Sequence, residues 1–238
     1  MEKSNKILIL GLILGLSLII TGAIIANTFL SVKRLDNVIT VSGSAKQTVT
    51  ADSARWTANF SRISLKDQLP SGYAQMKADE KTINDFFTAQ GFKQVNISPV
   101  FLNEIYNNDQ NAPKQYNLVQ NIEVKSNDVA KMKELAKNSD QIASKGIIFS
   151  PNPVEYYYSK LPDLRVSLLP AAITDAKNRA TIIAQSSGKS VDAIKSVSMG
   201  VVQVMTVGSV DVSDYGAYDT STIDKDVMIT VKTVFGLK

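Results

Sequence analysis

Residues 38–61 read VITVSGSAKQTVTADSARWTANFS. Two strands are written in this stretch. Val38 to Gly43 is rich in β-branched residues, and Gly43 marks a bulge or a close backbone approach. Further on, Ala54, Trp56, Ala58 and Phe60 alternate with Arg55, Thr57, Asn59 and Ser61. A period of two is the signature of a half-buried strand, here with the only tryptophan on its inner face. The polar run from Thr48 to Asp52 reads as the corner between the strands. Asp52 stands where a carboxylate satisfies nearby backbone N–H groups, a structural role.

C-terminal to this pair, Met76, Ile83, Phe86 and Phe87 share one helical stripe, predicting a helix over 71–90 that stops at Gly91. Two strands, 92–106 and 116–124, flank the polar loop NNDQNAPK and predict a hairpin, with Pro99 indicating an edge or a bulge. Ser126 or Asn127 is the expected cap of a short helix with Val129, Met132, Leu135 and Ala136 on its buried side. A strand over 147–158 is interrupted by Pro151 and Pro153. Between Pro162 and Ser187 the row Leu169, Ile173, Ala176, Ala180 and Ile183 predicts the longest helix of the soluble part, kinked or begun by Pro170 and ended by Gly188. Strands over 193–207 and 226–235 follow, the last with Val227, Ile229, Val231 and Phe235 on one face. The polar segment 208–225 between them reads as a mobile loop. The order β-β-α-β-β-α-β-α-β-β, with hairpins between neighbours, predicts an α+β fold: an antiparallel sheet with helices packed on one face.

N-terminal to the strands, Ile7 to Ala26 runs twenty residues without a charge. At about 1.5 Å per residue this matches the roughly 30 Å hydrocarbon core of a bilayer. The run is longer than the apolar stretch of a cleaved signal peptide, and Ala23 and Ala26 do not make a convincing cleavage site. The expectation is an uncleaved transmembrane anchor over 1–34 and one exported domain over 35–238. Lys3 and Lys6 balance Lys33 and Arg34 across the span, so orientation rests on the short N-terminal tail staying inside. Gly11 and Gly15 form a G-x-x-x-G on this helix, a face on which two helices can approach closely.

The formal net charge of +4 belongs mostly to these flanks, for residues 35–238 carry only +1. A nearly neutral domain has no electrostatic footprint for nucleic acid. The chain holds no His and no Cys, which removes Ser-His-Asp and thiolate chemistry, disulfides and the usual zinc sites. No phosphate-cradling glycine loop is present. The expectation is a non-enzyme with no cofactor and no metal.

Three stretches resemble the SIMPL-domain family. Val41, Gly43 and Asp52 stand at the places of its opening mark, although Ser44-Ala45 replace a second glycine. The segment AAITDAKNRATIIAQSSGKSVDAIKSV is similar to its second mark through Asp175, Ala176, Ala180, Ala184 and Gly188. DVMITVKTVF is similar to its closing strand. The resemblance spans Val38 to Phe235. It implies a bacterial cell-envelope protein with a loose association with stress tolerance and no agreed catalytic residues.

Other candidate residues carry little chemistry. Asp175 and Arg179, one turn apart, form a surface pair worth ~0.3–0.5 kcal/mol. Asp211, Asp214, Asp219 and Asp224 lack the spacing of a calcium loop. Tyr156, Tyr157 and Tyr158 must point to both faces of a strand, and with Tyr106 and Tyr116 they offer material for a subunit interface. The functional expectation is a membrane-tethered envelope protein that forms a homo-oligomer through its domain. The alternative is a monomeric ligand- or partner-binding module at the membrane, its small-molecule ligand unknown.

Overall fold

The computed structural model describes every residue except Met1, Asp36, Lys93, Gln110 and Asn111, and for 2–10 and 31–35 it describes the backbone alone. The flanking charges Lys3, Lys6, Lys33 and Arg34, and the centre of the NNDQNAPK loop, therefore lie outside the described side chains. α1 (Glu2–Leu35) precedes β1 (Val38–Thr50) and β2 (Ser53–Leu65); a 3-10 turn (Lys66–Gln68) leads into α2 (Leu69–Ala89). Next come β3 (Val95–Ile97), β4 (Phe101–Ile105), β5 (Gln115–Ser126), α3 (Val129–Lys137) and α4 (Asp140–Ala143). β6 (Ile148–Pro151), β7 (Glu155–Tyr157) and α5 (Leu161–Ser186) lead to β8 (Val191–Met199), β9 (Gln203–Thr206), β10 (Ala217–Tyr218) and β11 (Asp224–Leu237). The fold is α+β, as the sequence pattern predicts, with one sheet mixed because β10 runs parallel to β9.

These elements divide between two compact units. The first comprises Met1–Ala45, Leu168–Val201 and Ile229–Lys238; the second comprises Lys46–Ser167 and Val202–Met228.

In the second unit the sheet order is β3-β5-β2-β6, with β4 also on β5 and β7 also on β2. β2 and β5 pair antiparallel from Ala54 opposite Ser126 to Leu65 opposite Gln115. The alternation read in β2 is realised: Ala54, Trp56, Ala58 and Phe60 are buried, against Leu118, Ile122 and Val124 of β5 in the same core. The stripe Met76, Ile83, Phe86 and Phe87 of α2 packs into this core with Met132 and Leu135 of α3. Trp56 meets Phe87 edge-on at 6.0 Å and places its indole N–H on the Asn152 carbonyl at 2.9 Å, so its polar handle is satisfied. Arg62 clamps α2 to β2 through a two-pronged bond to buried Asp79, at 2.6 and 2.9 Å.

Several boundaries differ from the sequence reading. The expected strand over 92–106 is two strands, β3 and β4, interrupted at Pro99, and both lie on β5. β6 and β7 likewise are one expected strand divided by its prolines. The cap of α3 is Asp128, which accepts from Lys131 N at 2.9 Å, while Ser126 accepts from Asp128 N. The polar run ending β1 is strand to Thr50. Its side chains find carboxylates on β11: Lys46 and Thr48 bond Asp226, and Thr50 bonds Asp224.

In the first unit, α5 lays Leu168, Ala172, Ala176, Ala180 and Ala184 inward, a row spaced by four. The expected row is therefore corrected: Ile183 is 50% exposed, and Leu169 and Ile173 are half-buried. The reason is space. A Cβ on Gly43 would fall on the Ala172 carbonyl and the Ala176 amide, and 2.7 Å from the Ala176 Cβ. Only alanines facing a glycine allow helix and strand so near. Pro170 lies in the helix interior rather than at its start. β8 pairs antiparallel with β11 over Val191–Met199; the expected strand over 193–207 breaks at Gly200.

Gly43→Ala is expected to lower stability by ~3 kcal/mol or more, because backbone rather than a movable side chain blocks the methyl. Gly236→Ala, whose nearest obstacle is the flexible Lys195 stem at 3.3 Å, is expected to cost less than about 1 kcal/mol. Denaturant midpoints of the two variants check the contrast.

Candidate functional site

The side of the second unit's sheet opposite its core presents polar side chains. Arg55 is its centre. The guanidinium donates to Glu123 at 2.7 Å and to Glu155 at 3.4 Å, and Tyr157 donates to the same Glu155 oxygen at 2.9 Å. Lys125 sits 2.9 Å from the other Glu123 oxygen. The Glu123 and then the Tyr157 hydrogen bond raise the guanidinium above its ordinary value. Lys125 and Arg55 hold Glu123 below the usual carboxylate range against the opposing push of partial burial. Two positive and two negative groups thus cancel locally.

Beside this network lies an open depression of about 370 Å³, lined by Arg55, Thr57, Asn96, Ser98, Asn121, Glu123 and Asn152. A second of about 370 Å³ adjoins it and shares Asn96 and Glu123. Asn152 donates to the Thr57 hydroxyl at 3.0 Å, and Ser98 accepts from Asn121 N at 2.9 Å. The sequence reading faced Arg55, Thr57 and Asn59 outward but did not connect them with β3 and β5. The available signal was asparagine recurring inside strands, a residue that strands disfavour.

The segment 208–225, expected to be a mobile loop, is organised around a buried cation. Lys225 is 0% exposed, its ammonium donating to the carbonyls of Asp219 and Thr222, both at 2.5 Å, with Asp219 Oδ2 at 3.6 Å. Burial lowers its pKa, opposed by Asp219. Burial pushes the Asp219 carboxyl up, but Ser221, Thr222 and the ammonium outweigh it and hold it far below the ordinary range. Next in sequence, buried Asp226 accepts from Lys46 at 2.8 Å, Thr48 at 2.6 Å and Gly208 N at 3.1 Å, which bring its pKa from 3.8 down to about 2. Lys225 continues the period-two row Val227, Ile229, Val231, so its burial was readable in the sequence. Its partners were not.

Asp52 accepts from the backbone N–H of Ser159 at 2.7 Å and from its hydroxyl at 2.8 Å, ahead of α5. Asp175 does pair with Arg179 at 2.9 Å, and it also accepts from Ser44 N at 2.9 Å. That strand contact is the first cause holding its pKa low. Tyr156 is in the core, Tyr157 stacks on Tyr218 at 5.8 Å, and the Tyr158 N–H donates to the Tyr218 hydroxyl. The triplet is therefore engaged within the chain, and the most exposed tyrosines are Tyr106 and Tyr215. Asp211 and Asp214 do not join Asp219; among the described residues no three carboxylates come together as a metal site.

The SIMPL family model, described as a protein of unknown function (DUF541), matches residues 39–235. The chain belongs to the SIMPL family. The matched SIMPL region takes in Gly43, Asp52, Asp175 and the closing strand, and leaves α1 outside. No curated protein matches the chain.

Asp226 generates an acid limit. Its folded pKa lies below the unfolded one, so the unfolded state binds more protons between them, and the stability it contributes is lost as pH falls from about 4 to about 2. Asp226→Asn is expected to flatten the stability profile in that window. Denaturant midpoints from pH 5 downward test this, and equal slopes would refute it.

Proposed function

We propose that this chain is a membrane-tethered, non-enzymatic envelope protein that assembles with copies of itself. One observation carries the reading: the core face of the first unit's sheet continues onto β8 without cover. In register with buried Phe235, Thr233 and Val231 of β11 stand Ile194, Val197 and Met199 of β8. These three are 46%, 43% and 44% exposed. Across 193–201 the only charge is Lys195, a weak guard for an apolar strand that pairs with β11 alone among the described strands. A second copy laid on this row would finish the core that β11 begins.

The anchor supports the same reading. Gly11–Leu30 is a twenty-residue helical window of mean hydropathy 2.1, none of it buried within the chain. It is long and apolar enough to cross a membrane, as an anchor or as a signal sequence; the proposal takes it as an anchor. Gly11 and Gly15 have no neighbour within 4 Å, so that face is open to a second helix. The triplet Tyr156 to Tyr158, engaged within the chain, no longer contributes to the argument.

The test is the mass of the full chain in detergent, followed by sedimentation over roughly a hundredfold range of concentration. A discrete oligomer is expected. Val197→Glu and Met199→Glu place like charges on the row and are expected to shift it toward monomer. Gly11→Leu with Gly15→Leu separates the helix contribution. A monomer at every concentration sinks the proposal, and an oligomer lost only with the glycine changes confines assembly to the anchor.

A further inference from the structure

Asparagine is a poor strand residue because its amide competes for backbone hydrogen bonds and favours turns. Nevertheless Asn59, Asn96 and Asn121 stand inside β2, β3 and β5. Asn59 and Asn121 are register partners, and Asn96 is the partner of Glu123. All three are therefore on the polar side of the second unit's sheet. Their side-chain amides make no hydrogen bond among the described residues. Local preference is broken repeatedly on one face, and such conflicts concentrate where function overrides folding.

The site that Asn96 and Asn121 help form has a definite chemistry. Arg55 and Lys125 are matched by Glu123 and Glu155, so neither an anion nor a cation is selected by net charge. What remains is a floor of amides and hydroxyls, groups that both donate and accept. A sugar hydroxyl has the same dual capacity. The two depressions of about 370 Å³ each share Asn96 and Glu123. One alone is at the small end of small-molecule sites; joined, they suit an extended chain of rings better than a single ring. We propose that the polar face of β2, β3 and β5 binds a neutral oligosaccharide, with Asn96, Asn121 and Thr57 bonding its hydroxyls and the Arg55–Glu123 pair fixing its orientation. This is independent of assembly, since no residue of β8 or α1 takes part.

The chain carries its own reporter. Trp56 is the only tryptophan, and its indole bonds the backbone of Asn152, a residue of the site's wall. The experiment titrates the full-length protein, in a detergent without a sugar headgroup, with chitotetraose and with maltotetraose. Trp56 fluorescence and calorimetric heat are followed together. Saturable binding of at least one sugar is expected, insensitive to salt because the ligand is neutral. The two sugars distinguish whether acetamido groups are read as well as hydroxyls. Asn96→Ala and Asn121→Ala, both exposed, are each expected to weaken binding about fivefold, the worth of one hydrogen bond, at an unchanged thermal midpoint. Four results would overturn the proposal: no saturation by either sugar up to about 10 mM, binding untouched by both asparagine changes, steep salt dependence, or saturation by tetra-alanine but by neither sugar, which would make the face a peptide site.

Discussion

The approach of α5 to β1 at Gly43 is the contact on which the first unit depends. With no Cβ at Gly43 and only methyl groups at Ala172 and Ala176, helix and strand backbones lie closer than any larger pair would allow. Asp175, one residue before Ala176, reaches the Ser44 N–H beside the glycine, so a charge-assisted bond fixes the register of the close contact. Helix position and strand register are thereby set by one glycine, one carboxylate and a row of alanines. On β8 the apolar row Ile194, Val197 and Met199, in register with the buried face of β11, stays nearly half exposed.

The second unit rests on the opposite kind of packing. Large side chains fill the space between sheet and helices, and each fully buried aromatic contributes on the order of 2–3 kcal/mol. Its polar groups are placed where alternation allows: carboxylates and amides outside, a few paired ions within. Lys225 is the exception that shapes a segment. An ammonium without water must be surrounded by oxygens, and the carbonyls of Asp219 and Thr222 supply them. The preceding polar stretch therefore cannot remain open, because its own carbonyls are the solvation shell of the lysine. Removing the amine would leave those carbonyls and the Asp219 carboxylate to find other partners.

Much of the architecture was legible in the sequence because it depends on period and punctuation. The alternation 54–60 and the stripe Met76, Ile83, Phe86, Phe87 place the second core directly. The order of elements holds, apart from the short α4 and β10 that the pattern did not show, once each expected strand that contains Pro99, Pro153 or Gly200 is divided there, since proline removes a ladder donor and glycine weakens a strand. Where the reading failed, a distant partner decided. Thr48 and Lys46 look like a corner until Asp226 is set beside them. Ile173 looks more buried than Ala172 until Gly43 demands the smaller residue. The polar face was legible only in fragments, because it joins β2, β3 and β5 across register, and one strand at a time its asparagines look like ordinary exposed residues.

The proposed anchor and the uncovered strand reinforce each other through geometry. α1 ends at Leu35 and β1 begins at Val38, so the first strand starts only eight positions after Leu30, the end of the apolar window. At about 1.5 Å per helical residue and about 3.5 Å per extended one, β1 begins within roughly 20 Å of that end. Copies held so near one surface, as the proposed anchor would hold them, would meet more often than free ones because their diffusion would be confined to a plane. A charged, fully covered edge would have been the safer choice for a free domain. An uncovered one would suit a domain whose encounters a membrane limits, as the proposed anchor implies.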